Sequence, residues 1–226
     1  MERFSRWQAL IGEDSLNNLK EKKVIICGLG GVGSYAAEAL ARSAVGELVL
    51  IDFDKVDISN INRQLIALDS TIGRTKAEVM AERILSVNPG CRIKIIEKKL
   101  EEDNISELID SDADFVCDCI DDVPAKTALI VYCHNEGIPL ISAMGTGNKL
   151  DPSALEISDI KNTEVCPLCR SMRKRLREYN IEKGVTVVYS RERPLKPENC
   201  AVGSSAFVPP SAGLLMAGHI INNLLK

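Results

Sequence analysis

Short apolar runs alternate along the chain with longer amphipathic stretches. Lys23–Cys27 is an apolar run ending in glycines, the pattern of a strand buried on both faces. Gly33 to Ala44 is alanine-rich, with Leu40 and Val45 on one face, and predicts a helix. Glu47–Ile51 predicts a second strand, ended by Asp52. Thr75–Val87 predicts a helix stopped by Asn88-Pro89-Gly90. Arg92–Ile96 and Asp114–Cys119 predict a third and a fourth strand. Val123–Glu136 predicts a helix closed by Gly137, and Pro139–Ala143 a fifth strand. Such alternation predicts an α/β fold, a mostly parallel sheet with helices on both faces.

After about residue 150 the rhythm changes. Residues 151–200 carry a cysteine pair, a dense basic run and an apparent strand at Val185–Ser190. A last helix, Ser211–Leu225, is expected to start at Pro209-Pro210 and pack back on the core. The expected organisation is one domain over 1–226. Its core is 1–150, and 151–226 form a substrate-facing segment and closing helix.

Composition narrows this picture. With 226 residues, 45% hydrophobic and 27% charged, the chain reads as one globular domain. The 28 basic and 32 acidic residues give a net charge of −4, which excludes a globally basic nucleic-acid coat but not a local patch. Eight cysteines fall below the density of a disulfide scaffold, and no apolar leader follows Met1-Glu2-Arg3-Phe4-Ser5-Arg6. Reduced thiols in a cytoplasmic protein are expected. Residues 201–225 are apolar but contain Pro209, Pro210, His219, Asn222 and Asn223, so no membrane span is expected.

The candidate chemistry begins at Gly28-Leu29-Gly30-Gly31-Val32-Gly33, which fits G-x-G-x-x-G between a strand and a helix. Glycines there let backbone N–H groups approach a phosphate, and the helix N-terminus favours an anion. Asp52 ends the next strand, where a carboxylate binds ribose hydroxyls. The fold is therefore read as Rossmann-like. Asp54, Asn60, Arg63, Gln64 and Lys76 follow. A hydride-transfer enzyme has little use for so many cationic and amide groups near phosphates, whereas expulsion of pyrophosphate requires charge neutralisation, which Arg63 and Lys76 supply. Asp118 and Asp121 fall at the carboxyl edge of the sheet, where one carboxylate suits Mg²⁺. The alternative for Asp121 or Asp122 is a helix N-cap before Val123-Pro124.

Together Gly28-x-Gly-Gly-x-Gly33-Ser34, Asp52-Phe-Asp54, Asn60-Ile-Asn-Arg63-Gln64, Lys76 and Asp118-Cys-Ile-Asp121 resemble the ThiF/MoeB/ubiquitin-activating-enzyme superfamily of adenylating proteins. The resemblance implies ATP on Gly28, Gly30, Gly31 and Gly33, with Asp52 on the ribose. Asn60, Arg63, Gln64 and Lys76 are implied on the phosphates, and Asp121 on Mg²⁺. It implies activation of a carboxylate as an acyl-adenylate. Arg3-Phe4-Ser5-Arg6-Trp7 is similar to the family's N-terminal arginine motif, which implies a homodimer with Arg6 acting in the partner's site.

The second half bears on the substrate. Arg170, Arg173, Lys174, Arg175 and Arg177 form a run with no acid inside it, either a solvated face or a surface for a phosphate backbone. With Val187–Pro194 and Asn199–Ser204, the run resembles the superfamily branch that dehydrates threonylcarbamoyladenosine in tRNA. That likeness implies adenylation of the threonylcarbamoyl carboxylate, then cyclisation with loss of AMP. The alternative is adenylation of a ubiquitin-like sulfur-carrier C-terminus, and a link to a cysteine desulfurase or sulfur-acceptor system is a further possible partner. Cys166-Pro-Leu-Cys169 is half of a zinc site, needing Cys200, His219 or a partner chain to complete it. A reduced metal-free pair and a redox pair are the alternatives. Cys200, in a loop, is the candidate reactive thiol.

Overall fold

The computed structural model describes residues 3–196 and 202–226. The α-helices are α1 (Ser5–Ile11), α2 (Glu13–Leu19), α3 (Gly33–Arg42), α4 (Lys76–Val87), α5 (Ile105–Leu108), α6 (Val123–Glu136), α7 (Pro167–Arg177) and α8 (Val208–Leu224). The strands are β1 (Lys23–Cys27), β2 (Glu47–Ile51), β3 (Arg92–Ile96), β4 (Phe115–Asp118), β5 (Leu140–Ala143), β6 (Leu155–Asp159) and β7 (Thr186–Ser190). They form one seven-stranded sheet in the order β3-β2-β1-β4-β5-β7-β6. Every pairing is parallel except that of β6 with β7.

Strand alternation divides the core. Val24 and Ile26 of β1 and Leu48 and Leu50 of β2 pack on one face with α3, α4 and α8. Ile25, Cys27, Val49 and Ile51 face the other side with α5 and α6. A third cluster joins α6, α7 and β7 through Ile130, Met172, Leu176 and Val187. The predicted α/β sheet with helices on both faces is the fold observed. Residues beyond 150 extend the same sheet through β7 and β6.

Two contacts fasten the closing helix. A Cβ on Gly213 of α8 would lie 2.2 Å from the Val32 carbonyl, so only glycine lets α8 lie this close to the start of α3. Asn18 Nδ2 donates to the Leu224 carbonyl. α8 starts three residues before the expected Ser211. Pro209 and Pro210 occupy its first turn, where a missing N–H leaves no bond unmade. No helix among the described residues is long and apolar enough to cross a membrane.

Candidate active site

The first turn after β1 is built so that only glycine fits. Gly28 has φ +89°, and a Cβ on it would sit 2.8 Å from the Cys119 carbonyl. A Cβ on Gly33 would lie 1.8 Å from the Gly28 carbonyl. The loop therefore folds flat against the end of β4, leaving its N–H groups and the N-terminus of α3 toward the carboxyl edge. Ser34 Oγ donates to the Gly30 carbonyl at 2.7 Å and accepts from the Leu65 N–H at 3.3 Å. The loop is thus tied to the crossover that carries Asn60, Arg63 and Gln64.

Asp52 reaches back from the end of β2. Its Oδ2 accepts from the Leu29 N–H at 2.6 Å and its Oδ1 from the Asp54 N–H at 2.8 Å. Burial pushes this carboxyl above its ordinary range, opposed by the Leu29 N–H and the charge of Lys76. Each oxygen keeps a second lone pair for a sugar hydroxyl. Lys76, in the first turn of α4, is buried, and its Nζ lies 2.7 Å from Asp54 Oδ2. The N-cap of α4 is Thr75, which the sequence placed inside the helix.

The crossover brings further groups to the loop. Arg63 donates to the Ser59 carbonyl and to Asn62 Oδ1, and its Cγ would meet a Cβ on Gly31 at 3.3 Å. Asn60 accepts from the Asp57 N–H and closes a capping box. The Gln64 amide lies beside Gly30, with Nε2 3.8 Å from where a Gly30 Cβ would be. Gln64 Oε1 is the one buried side-chain oxygen or nitrogen without a hydrogen-bond partner among the described residues. A phosphate brings no donor for this oxygen, so the group able to meet a phosphate there is the amide Nε2 beside Gly30.

At the end of β4 the acidic residues separate into three roles. Asp118 is fully buried and paired with Lys126. Asp122 is the N-cap of α6, accepting from the Ala125 N–H at 3.0 Å. Asp121 is exposed and makes no side-chain hydrogen bond or ion pair among the described residues. Of the three, Asp121 is the carboxylate free for a hard cation. Sequence reading missed Lys126. Its signal is a lysine inside the apolar stretch Ala125–Cys133, where only a buried partner makes a charge tolerable.

The N-terminal arm sits at the other end of the sheet. Arg3 donates to the Val87 carbonyl at the end of α4, and Trp7 Nε1 to the Ser43 carbonyl beyond α3. Arg6 is exposed. The ten residues of α3 separate this arm from its own glycine loop by about 15 Å.

α7 has Cys166 at its N-cap, the sulfur 3.7 Å from where a Gly145 Cβ would be, beyond the end of β5. Cys169, Met172 and Leu176 form its buried side. Arg170, Lys174 and Arg177 recur at i, i+4 and i+7 and are exposed, with Arg175 exposed on the flank. None of these four makes an ion pair among the described residues, every such pair involving other side chains. Arg173 turns elsewhere: its guanidinium donates to the Ile160 and Thr163 carbonyls and to Thr163 Oγ1. It anchors a loop, in contrast to the other members of the run.

Cys166 and Cys169 are buried together. A hydrogen bond from Cys169, backbone N–H groups and the nearby Lys149 ammonium hold the Cys166 thiol down at about 5, and the same pairing pushes Cys169 up. His219 packs edge-on against Phe115 at the opposite end of the sheet, so it does not join them. No group of three or more His, Cys, Asp or Glu side chains suited to a metal occurs among the described residues. Among the described residues, Cys166 and Cys169 supply two of the four donors a zinc site takes. Cys200 lies outside the described residues.

Known proteins share this sequence and fold. The chain is 40% identical, over its whole length and 96% of the relative, to the tRNA threonylcarbamoyladenosine dehydratase of Bacillus subtilis. It superposes with a TM-score of 0.94 and 36% identity on the Escherichia coli tRNA N6-threonylcarbamoyladenosine dehydratase in complex with ATP, covering 98% of this chain and 93% of that one. It is 33% identical to the molybdopterin-synthase adenylyltransferase of Salmonella typhimurium, over 76% of this chain and 68% of that protein. The ThiF family matches residues 4–226, and the chain belongs to the ThiF family.

Proposed function

We propose that the chain is an ATP-dependent tRNA threonylcarbamoyladenosine dehydratase. It activates the threonylcarbamoyl carboxylate on a tRNA adenosine and lets the product cyclise. The observation that carries this reading is the basic stripe Arg170, Lys174 and Arg177, unpaired among the described residues. It lies on a helix that starts at the same sheet edge as the phosphate cradle. A phosphate backbone supplies the anions that stripe lacks. A small carrier protein does not require it.

The geometry supports the following division of labour. N–H groups of the Gly28–Gly33 loop hold the phosphates at the N-terminus of α3. Asp52 holds the ribose, and Gln64 Nε2, beside Gly30, donates to a phosphate oxygen. The substrate carboxylate attacks the α-phosphorus, the bond to the bridging oxygen of pyrophosphate breaks, and an acyl-adenylate forms. Lys76, aimed by Asp54, and Arg63 neutralise the charge that develops on the leaving group. Mg²⁺, when bound by Asp121, supplies electrostatic neutralisation of the phosphate oxygens. Attack of the modification's own nitrogen or oxygen on the activated carbonyl then expels AMP. That step needs positioning and no protein nucleophile.

Arg6 cannot serve its own loop from the far end of the sheet, so its role is in the site of a second copy. The exposed apolar side chains Ile58, Ile61, Leu214 and Leu215 give that copy a surface to cover. A sulfur-acceptor partner remains a proposal carried by the family likeness alone.

The test is pyrophosphate release measured separately with tRNA and with a ubiquitin-like carrier. Release that depends on threonylcarbamoyl-modified tRNA, with loss of one water from the modified base by mass spectrometry, is expected. Carrier-dependent release without a tRNA response would replace this reading with the sulfur-carrier one.

A further inference from the structure

Lys126 and Asp118 form an ion pair at 2.8 Å in which neither side chain has any exposure to solvent. Ser142, at the end of β5, donates to the same Asp118 oxygen at 2.6 Å and accepts from Lys126 Nζ at 3.1 Å. The other Asp118 oxygen accepts from the Ile120 N–H at 3.0 Å. Asp122 then caps α6, and the Lys126 N–H returns to the Asp122 carbonyl at 3.0 Å. The turn from 118 to 126 is therefore fixed on both sides of Asp121, whose own carboxylate is exposed. Its strand end is also the wall of the glycine loop, through the Cys119 carbonyl beside Gly28.

A buried ion pair is a poor route to stability, because an apolar pair of the same volume packs without the desolvation penalty. What it gives is direction. Lys126 has two oxygen partners, and both lie at the ends of neighbouring strands. The ammonium bridges the ends of β4 and β5 at the register pair Asp118–Ser142.

We propose that Lys126 is a positioning residue for Asp121. Acting through Asp118, it aims the Asp121 carboxylate at the metal-bearing phosphates. This rests on the reading of Asp121 as the Mg²⁺ carboxylate. Lys126 touches no substrate and takes no part in bond making.

The experiment measures binding of the methylene ATP analogue AMPCPP to the full chain by calorimetry across a Mg²⁺ series. Binding of AMP without metal is measured beside it. For Lys126→Met the half-saturating Mg²⁺ is expected to rise about tenfold, the scale of losing a group that orients a metal ligand, while AMP affinity is unchanged. The double variant Asp118→Asn/Lys126→Met removes both buried charges. It is expected to regain the parent melting temperature but keep the raised Mg²⁺ requirement. Unchanged Mg²⁺ dependence in Lys126→Met overturns the proposal. So does full recovery of that dependence in the double variant, which would make the pair a matter of charge balance. Asp121→Ala separates the two readings. If it leaves the Mg²⁺ requirement unmoved, the role of Asp121 fails and the proposal with it. If it raises the requirement and Lys126→Met does not, the proposal alone fails.

Discussion

The Asp54 carboxylate holds the Lys76 ammonium at 2.7 Å, with the lysine side chain 7% exposed and the aspartate 48% exposed. The lysine is thus withdrawn from water while its partner stays half exposed. A cation desolvated before substrate arrives acts on developing charge without reorganising. Lys76→Met is expected to lower kcat for pyrophosphate release by about 10²- to 10³-fold. Asp54→Ala leaves the cation present but unaimed and is expected to cost less. Single-turnover pyrophosphate assays on folded protein decide. Equal losses in the two variants would mean that Asp54 has a phosphate or metal role of its own.

The basic run divides by what its members touch. Replacing Arg170, Lys174 and Arg177 with Gln is expected to make the slope of log affinity for tRNA against log salt shallower by about 2 to 3 units. Arg173→Gln is expected to leave that slope unchanged. It should lower stability by about 1–3 kcal/mol, because the Ile160 and Thr163 carbonyls lose a charged donor. Filter binding from low to high salt, with parallel melting curves, separates the groups. A slope change in Arg173→Gln would return it to the interface.

Two glycines give opposite outcomes for the same substitution. Gly33→Ala drives a methyl to 1.8 Å from the Gly28 carbonyl. It is expected to cost about 3 kcal/mol or more and to abolish AMP binding. Gly218, within α8, has nothing within 4 Å of an added Cβ. Gly218→Ala is expected to add about 0.5–1 kcal/mol from helix propensity. Thermal melting with and without AMP reads both.

His219 gives the fold an acid limb. Its imidazole is half-buried against Phe115, and desolvation holds its pKa below the ordinary 6.5. The unfolded chain therefore takes up this proton first. Stability is expected to fall as pH drops through about 6.5 and to level off below the folded-state value. His219→Gln should flatten that limb in urea melts between neutral and mildly acidic pH. An unchanged limb would assign it to carboxylates.

The glycine loop, β1, β2 and the carboxyl-edge aspartates were legible because each lies in a short stretch whose pattern reports its surroundings. α1, α2, α5 and β6 were not. α1 buries none of its residues, α2 buries only Leu16 and Leu19, and α5 has four residues. β6 is an antiparallel edge strand with no fully buried position. Periodicity has little to report where burial is slight. In the candidate site, residue types and spacing pointed to Asp52, Arg63 and Lys76, which the fold sets around the glycine loop and β2. The division among Asp118, Asp121 and Asp122 needed the partner Lys126, eight positions away. The loop-anchoring role of Arg173 likewise depends on the Ile160–Thr163 turn, which the basic pattern does not encode.

The contact of Gly213 with the Val32 carbonyl places a late segment of the chain directly behind the first phosphate-binding turn. Asn18 meets Leu224 across 206 positions. The cradle is therefore a non-local object, and such contacts form slowly because a long loop must close before they give any return. During synthesis the glycine loop emerges early but lacks its backing until α8 has been made and docked. Until then the face of α3 that α8 covers lacks its partner. Nucleotide affinity is thus expected of the chain only once α8 backs the loop.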